Sequence, residues 1–198
     1  MTTRVANPAP LGLVGFGLTT VVLSSINAGL LPRESEVVVV PLALAFGGLI
    51  QLIAGVLEYR NGNTFGTVAF TSYGAFWFWF AFLVLFLGNG IVRAPEEALQ
   101  KGLGLTLIMW GVFTLSMWIA TFRLSRAVWW VFLTLWVTFM LLGFGHLGAP
   151  TSRLGGWTGL LCGLLAMYTS SGEVLNEVFG REVLPLGRAA APPAVERV

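Results

Sequence analysis

Six long apolar stretches constrain the fold of this chain more than any other feature. Each is about 20 residues long, which as an α-helix matches the ~30 Å hydrocarbon core of a bilayer. None contains Lys or Arg, and they run over 11–31, 37–57, 68–87, 102–120, 128–147 and 154–174. Their residues lack the alternation that the strands of a membrane barrel require. The sequence therefore predicts an all-α polytopic membrane protein with six transmembrane helices, which we number spans 1 to 6.

Composition excludes most other classes of protein. Apolar residues make up 56 % of the 198 residues and charged residues only 10 %, whereas soluble domains carry about 25 % charged residues. A water-soluble globule of this size cannot bury so much apolar surface. A net charge of +2, one Cys and one His leave no basic stripe for nucleic acid, no disulfide framework and no metal cluster. We expect the lipid bilayer as surroundings, and no enzyme activity, cofactor, metal or nucleic-acid partner.

Basic residues predict the orientation in the membrane. One side carries seven and the other side four: Arg4, Arg60, Arg123, Arg126, Arg181, Arg188 and Arg197 against Arg33, Arg93, Lys101 and Arg153. The side richer in Arg faces the cytoplasm, so both termini should be cytoplasmic and the protein should lie in the inner or plasma membrane. Span 1 is too long for a signal peptide and should be retained. We expect one transmembrane domain over 1–187 and a disordered tail over 188–198.

Small residues mark the places where helices are expected to touch. Span 6 carries Gly155, Gly159 and Gly163 at four-residue spacing, and spans 1 and 2 carry similar Gly-rich faces. Such spacing lets helix backbones approach closely in lipid. The pattern leaves open whether these contacts form within one subunit or between subunits.

Two helices are expected to begin with Asn on the same membrane face. Asn7 precedes a Pro at the start of span 1, and Asn63 follows the turn Asn61-Gly62 before span 3. Asn is a good helix cap, and Pro suits the first helical position. The alternative to simple capping is that these helix N-termini face a solute anion, which their free N–H groups attract.

Carboxylates near the ends of two spans each have two interpretations. Glu58 ends span 2, where it either pairs with Arg60 or exchanges protons at a pore mouth. Glu173 and Glu177 lie one turn apart at the end of span 6, which is typical of a solvated helix end, and Glu173 is the second candidate for proton exchange. The single His146 is interpreted as an interfacial hydrogen-bonding residue.

Polar side chains in the first three spans suggest a polar pathway. No span contains a buried Arg that would hold a carboxylate. A carboxylic acid could still cross in its neutral form, or as an anion held by helix N-termini, amides and hydroxyls, which favours small weak acids. The dense aromatic run of span 3 favours packing or lipid contact over a binding site. The candidate pore-lining or anion-guiding residues are Asn7, Thr20, Gln51, Asn63, Thr64 and Ser72.

Five motifs, in the order in which they occur along the chain, resemble those of the acetate uptake transporter family. This family includes the bacterial succinate–acetate permeases and their fungal relatives. The resemblance extends over residues 6–187. The motifs are Asn7-Pro-Ala-Pro-Leu-Gly-Leu13, Gly62-Asn-Thr-Phe-Gly66, Ala69-Phe-Thr-Ser-Tyr-Gly74, Trp110-Gly-Val-Phe-Thr-Leu115 and Gly172-Glu-Val-Leu-Asn-Glu177 with Gly180-Arg181.

The resemblance implies six spans, cytoplasmic termini and a homo-oligomer, a hexameric ring with one pore per subunit. It implies passage of acetate and related small monocarboxylates, and of succinate in some members, either by symport with protons or through a channel-like pore. It also implies a hydrophobic constriction formed by Phe16, Tyr73 and Leu135. The alternative function is a non-transporting membrane sensor or scaffold assembled through the Gly-rich faces.

Overall fold

The computed structural model describes residues 6–187, and no strand occurs in that range. Residues 188–198, for which we expect a disordered tail, and the basic residues Arg4, Arg188 and Arg197 lie outside the described part. Short 3₁₀ turns at Arg33–Ser35 and Thr121–Arg123 join some of the helices. The helices are α1 (Ala9–Asn27), α2 (Glu36–Leu42), a π-helix (Ala43–Ile50), α3 (Gln51–Arg60), α4 (Thr64–Gly88), α5 (Glu96–Ala120), α6 (Arg126–His146) and α7 (Ser152–Phe179).

These helices form six rods, because α2, the π-helix and α3 follow one another without a break. The six rods coincide with the six predicted spans, which confirms the all-helical architecture. Five of them are long and apolar enough to cross a membrane within the described residues, and α7 is the exception. At 28 residues α7 is long enough, but its Gly, Ser and Thr residues lower its hydropathy. Thr169 and Ser170 in its middle are buried inside the bundle. The face it exposes over 154–164 carries the apolar Leu154, Trp157, Leu161 and Leu164.

The rods enclose a central interior. Helix α7 packs between α1 and α6, and α5 packs on the other side of α6. On the opposite flank, α1 contacts the π-helix and α3, which in turn pack against α4. Helices α4 and α5 are consecutive in the chain but barely touch through their backbones. Aromatic side chains of α4 and α5 fill the interior at this seam.

The π-helix interrupts the second rod, for which a regular helix is expected. Pro41 precedes it and has no N–H to donate. Two consecutive glycines lie within it, and Gly has a low helix propensity. A β-carbon at Gly47 would lie 2.8 Å from the Trp77 ring, and one at Gly48 would lie 3.1 Å from Phe78. The wide π-helical turn, and the lack of a side chain on Gly47 and Gly48, together let the aromatic residues of α4 pack onto the second rod.

The Gly-rich faces are occupied within the chain. Gly159 lies against Ser24 of α1, and a β-carbon there would approach the Ser24 hydroxyl too closely to fit. Gly155 lies against Leu142 of α6, and Gly55 of α3 lies against Thr71 of α4. The sequence leaves open whether these glycines make contacts within one subunit or between subunits. In the structure they pack helix against helix inside one subunit. They no longer give a reason to expect an oligomer.

The segment after α7 folds back onto the bundle. Asn176 accepts hydrogen bonds from the backbone N–H groups of Val183 (2.6 Å) and Leu184 (3.0 Å), and its amide donates to the Leu184 carbonyl (2.9 Å). Leu186 is 2 % exposed and lies against Gly172. The carbonyl of Gly187 accepts from the N–H of Arg126 at 2.9 Å, at the start of α6. Residues 183–187, which we call the C-terminal strap, therefore join the end of α7 to the start of α6.

Candidate functional site

Tyr73 of α4 lies where four helices meet. Its ring centre lies 6.1 Å from that of Phe16 on α1 and 6.0 Å from that of Phe132 on α6. On α5, the ring of Trp110 lies 5.7 Å and that of Phe113 lies 5.6 Å from Tyr73. These distances are those of aromatic rings in contact. Aromatic side chains from four helices therefore meet around Tyr73 in the interior of the bundle.

Leu135 faces the same interior from α6. Phe132, one turn before it, packs against Tyr73, and Phe139, one turn after it, packs against Phe76 at 5.3 Å. Residues three and four positions apart share a helix face, so Leu135 points toward α4 between these two contacts. It is buried, as are Phe16 and Tyr73. The structure brings the three expected constriction residues into one core, and their role in blocking a path stays a prediction.

The Tyr73 hydroxyl has a partner that the sequence analysis did not identify. It lies 2.9 Å from the hydroxyl of Thr114 on α5, and Thr114 in turn donates to the carbonyl of Trp110 at 2.7 Å. Thr114 is fully buried. It belongs to the Trp110–Leu115 motif, so the motif marked the segment but not the residue within it.

The polar residues of the first two spans differ in how well they are satisfied. Thr20 donates to the carbonyl of Phe16, one turn earlier, at 2.7 Å, which is the usual local bond of a Thr within a helix. Gln51 is 1 % exposed, and its side-chain oxygen has no hydrogen-bond partner. The indole N–H of Trp77 is likewise buried and unpartnered. Unpaired buried polar groups are costly and call for an explanation, and the pore-lining role of Gln51 stays a prediction.

Ser72 is half-buried and opens onto the seam between α4 and α5. A groove of about 450 Å³ lies there, and its polar members are Ser72 and Thr106. The groove also reaches Trp110 and Phe113, which contact Tyr73. Ser72 therefore lies beside the aromatic residues that contact Tyr73, and its pore-lining role stays a prediction.

The two Asn-headed helices start side by side, as expected. Asn63 caps α4 by accepting from the N–H of Gly66 at 3.1 Å. Asn7 accepts from the N–H of Ala9 at 3.1 Å, although the regular geometry of α1 begins one residue later than expected. The amide of Asn61 donates to the carbonyl of Ala6 at 3.3 Å, which ties the two starts together. Capping by Asn63 is confirmed, whereas Pro8 rather than Asn7 holds the N-cap position of α1. Contact with a solute anion stays a prediction for both Asn residues.

Glu58 does not pair with Arg60, so that expectation is wrong. The carboxylate turns inward, is 2 % exposed and accepts from the side-chain amide of Asn63 at 2.9 Å. Its second oxygen is buried without a partner. Gly66 provides the space, since a β-carbon there would lie 2.7 Å from the carboxyl carbon of Glu58. Arg60 stays exposed at the end of α3, because a helix end near water solvates a guanidinium better than the interior does.

The remaining candidates lie at the ends of helices. Thr64 is the first residue of α4 and is exposed. Glu173 is half-buried near the end of α7 and has an interaction partner, as does Glu177. His146 bonds through Nδ1 to the side-chain oxygen of Gln100 on α5, which confirms the hydrogen-bonding role expected of it. Among residues 6–187, no three His, Cys, Asp or Glu side chains come together in a way that could hold a metal ion.

Comparison with known proteins identifies the family of this arrangement. Residues 1–186 match the model of the GPR1/FUN34/yaaH family. The chain is 44 % identical to the "Succinate-acetate/proton symporter SatP" of Escherichia coli K12 over 189 residues, which cover 94 % of this chain and 98 % of that protein. It is 37 % identical to "Acetate permease A" of Emericella nidulans, covering 92 % of this chain and 66 % of that protein.

A solved structure gives the same result. The bacterial acetate channel SatP superposes with a TM-score of 0.87 at 45 % sequence identity, and the match covers 93 % of this chain and all of that one. These proteins are named as a symporter, a permease and a channel, which confirms the expectation of a transporter rather than an enzyme. With six helical rods, a shared fold and a family match over nearly its whole length, this chain belongs to the GPR1/FUN34/yaaH family.

Proposed function

We propose that this protein is a multi-pass membrane transporter that moves acetate through the interior of its own helical bundle, past Tyr73. Related small monocarboxylates are further substrates, and succinate is the larger acid for which the E. coli relative is also named. The observation that carries the proposal is the buried hydroxyl pair of Tyr73 and Thr114 inside an aromatic core. This pair places a polar group in an otherwise apolar core where four helices converge.

The proposed constriction consists of Phe16, Tyr73 and Leu135. It is apolar apart from one phenol, so an ionised carboxylate loses its hydration there without gaining a counter-charge. A neutral acid loses far less. Apolar constrictions also gate pores by excluding water. These properties select small weak acids over large polyanions and agree with a substrate of the size of acetate.

The proposed inner end of the path is the face that holds Asn7 and Asn63. The N-termini of α1 and α4 carry partial positive charge that attracts an anion toward the bundle. Glu58 lies behind Asn63 with one oxygen unpartnered, which suits a group that takes up and releases a proton. Thr20, Gln51, Thr64, Ser72 and Glu173 are the further candidates along the path.

The proposed orientation places both termini in the cytoplasm. Within residues 6–187 the two faces carry four basic residues each, namely Arg60, Arg123, Arg126 and Arg181 against Arg33, Arg93, Lys101 and Arg153. The excess that predicts the orientation therefore comes from Arg4, Arg188 and Arg197. The proposed location is the inner or plasma membrane.

The proposed assembly is a homo-oligomer, a hexameric ring in which each subunit has its own pore. Because the Gly-rich faces pack inside the subunit, the subunit contacts must use outward-facing apolar residues. Such residues are plentiful on α5, where Leu105, Met109 and Val112 are all more than half exposed. Native mass spectrometry in mild detergent tests this assembly, and an active protein that is only monomeric contradicts it.

Uptake of labelled acetate into liposomes containing the purified protein tests the function. Acetic acid crosses lipid unaided, so the rate in protein-free liposomes is subtracted, with and without an inward proton gradient. The Phe82→Ala variant serves as a control, since it truncates an exposed aromatic residue of the same helix as Tyr73. We expect protein-dependent uptake that Phe82→Ala retains. A rate no higher than that of protein-free liposomes, in a protein that keeps its helical content, returns the chain to the sensor or scaffold alternative.

A further inference from the structure

The hydrogen bonds of Thr114 fix the direction in which the Tyr73 hydroxyl points. A Thr hydroxyl has one proton and two lone pairs. Its oxygen lies 2.7 Å from the Trp110 carbonyl oxygen and 2.9 Å from the Tyr73 oxygen. If the Thr114 proton pointed at Tyr73, two acceptor oxygens would face each other at 2.7 Å without a proton between them, in a site that water does not reach. Thr114 therefore donates to Trp110, and Tyr73 donates to Thr114.

This arrangement leaves Tyr73 with lone pairs only. A phenol has a single proton, and here that proton is already used in the bond to Thr114. A carboxylate can only accept hydrogen bonds and gains nothing from such an oxygen. A carboxylic acid carries an O–H group that can donate to it. On the basis of the proposed function, we propose that Thr114 is a positioning residue that makes Tyr73 an acceptor and so lets the constriction select the protonated acid over its anion.

The surroundings of Tyr73 supply no charge that would offset this selection. The rings that contact it from α1, α5 and α6 are those of Phe16, Trp110, Phe113 and Phe132, and none of them ionises. The ionisable group that faces it from α7 is Cys162, whose buried thiol donates to the Val131 carbonyl at 3.4 Å.

Selection of the neutral acid also determines how many protons move. Each neutral molecule carries its own proton across the membrane, so the net stoichiometry is one acetate with one proton. A channel-like pore of this kind therefore acts as an acetate/proton symporter without a separate proton pathway. Passage of the neutral form moves no net charge, whereas passage of the anion does. Sensitivity of the flux to membrane potential thus distinguishes the two forms.

The test uses acetate uptake in proteoliposomes at pH 6 and pH 8, with a membrane potential imposed by a potassium gradient and valinomycin. For the intact protein we expect uptake to follow the neutral-acid concentration, which falls about tenfold per pH unit above the pKa of the acid, and to be insensitive to the potential. In Thr114→Val the phenol is free to donate toward the path. The preference for the anion relative to the neutral acid should then rise about two- to tenfold, the equivalent of one hydrogen bond, so that the flux becomes sensitive to the potential. Thr114→Ser should behave as the intact protein does.

Thr169→Val is the matched control. Thr169 is equally buried on α7 and makes the same bond to the carbonyl one turn earlier, at 2.7 Å, but no Tyr bonds to it. Tyr73→Phe is the second variant, and it removes the acceptor. It should lower the flux of neutral acid about two- to tenfold and stay insensitive to the potential.

Three results would overturn the inference. The first is potential-driven acetate flux in the intact protein. The second is a folded Thr114→Val variant whose flux stays as insensitive to the potential as that of Thr169→Val. The third, which decides the matter even if Thr114→Val does not fold, is an unchanged neutral-acid flux in Tyr73→Phe. A protein that transports no acetate overturns the proposed function and this inference together, whereas normal acetate transport with any of the three results overturns the inference alone.

Discussion

Gly17 of α1 and Gly163 of α7 pack backbone against backbone, each against the carbonyl oxygen of the other. A β-carbon at either position would lie 2.8 Å from that oxygen. Because both neighbours are main-chain atoms, neither can move aside as a flexible side chain does. The contact sets the distance between α1 and α7, and thereby the position of Phe16, which precedes Gly17 in the chain.

Replacing Gly163 by Ala should therefore destabilise the protein. Overpacking of this kind costs about 1–3 kcal/mol, which thermal unfolding in detergent measures. Gly102→Ala is the matched control, because nothing lies within 4 Å of a β-carbon at that position of α5. We expect Gly102→Ala to leave the melting temperature unchanged or to raise it slightly. Equal effects of the two substitutions would show that the α1–α7 contact is not tight.

Shortening Leu135 to Ala should widen the constriction and admit lactate. Enlarging a pocket by the volume of one or a few methylene groups changes the discrimination between two substrates by about tenfold or more. The ratio of lactate to acetate uptake should rise by about that factor. Leu164→Ala is the control, since Leu164 is 52 % exposed on the outer face of α7. An uptake ratio that is the same in the two variants would remove Leu135 from the constriction.

Two substitutions at Asn63 separate capping from the support of Glu58. Ala removes both the bond to Gly66 and the bond to Glu58, whereas Ser keeps an oxygen for capping and has no amide to reach Glu58. Loss of the cap costs about 1 kcal/mol, so Asn63→Ala should melt at a lower temperature than Asn63→Ser. Both variants lose the amide that holds Glu58 at the proposed inner end of the path. Both should therefore show weaker apparent affinity for acetate, measured as uptake over a range of concentrations. If Asn63→Ser keeps normal affinity, Asn63 is a cap only.

Asn176 should matter for stability because it holds the C-terminal strap with three hydrogen bonds. Asn176→Ala leaves the Val183 and Leu184 backbone groups without this partner, which should lower the free energy of unfolding by about 1–3 kcal/mol. Asn89→Ala is the control, since Asn89 makes one exposed bond to the Leu85 carbonyl at the end of α4. Proteolysis near residue 184 should also become faster in Asn176→Ala alone. Equal rates of proteolysis near residue 184 in the two variants would contradict a C-terminal strap held by Asn176.

Features that depend on nearby residues were predictable from the sequence. The apolar runs predicted all six rods, and the Asn63 cap depends only on a residue three positions away. Features that depend on distant residues were not. The partner of Tyr73 lies 41 positions along the chain, and nothing local distinguishes Thr114 from the other Thr residues of the spans.

The predicted ion pair of Glu58 with Arg60 was wrong for the opposite reason, because it relied on a nearby residue where the packing of two helices decides. The proximity of Glu58 to Arg60 in sequence suggested an ion pair, but the structure turns Glu58 into the space beside Gly66, and only the packing of α3 on α4 creates that space. The π-helix likewise lies where aromatic residues of α4 pack onto Gly47 and Gly48. No periodicity in the sequence marked it.

The central claim is that acetate passes Leu135 in the interior of one subunit. The direct test is a Leu135→Cys variant in a Cys162→Ala background, which leaves one thiol because Cys162 is the sole cysteine of the sequence. Labelled acetate uptake is measured before and after treatment with methyl methanethiosulfonate, with modification verified by mass spectrometry. The account predicts that modification lowers uptake severalfold and that excess acetate slows the modification. Complete modification with unchanged acetate uptake would contradict it.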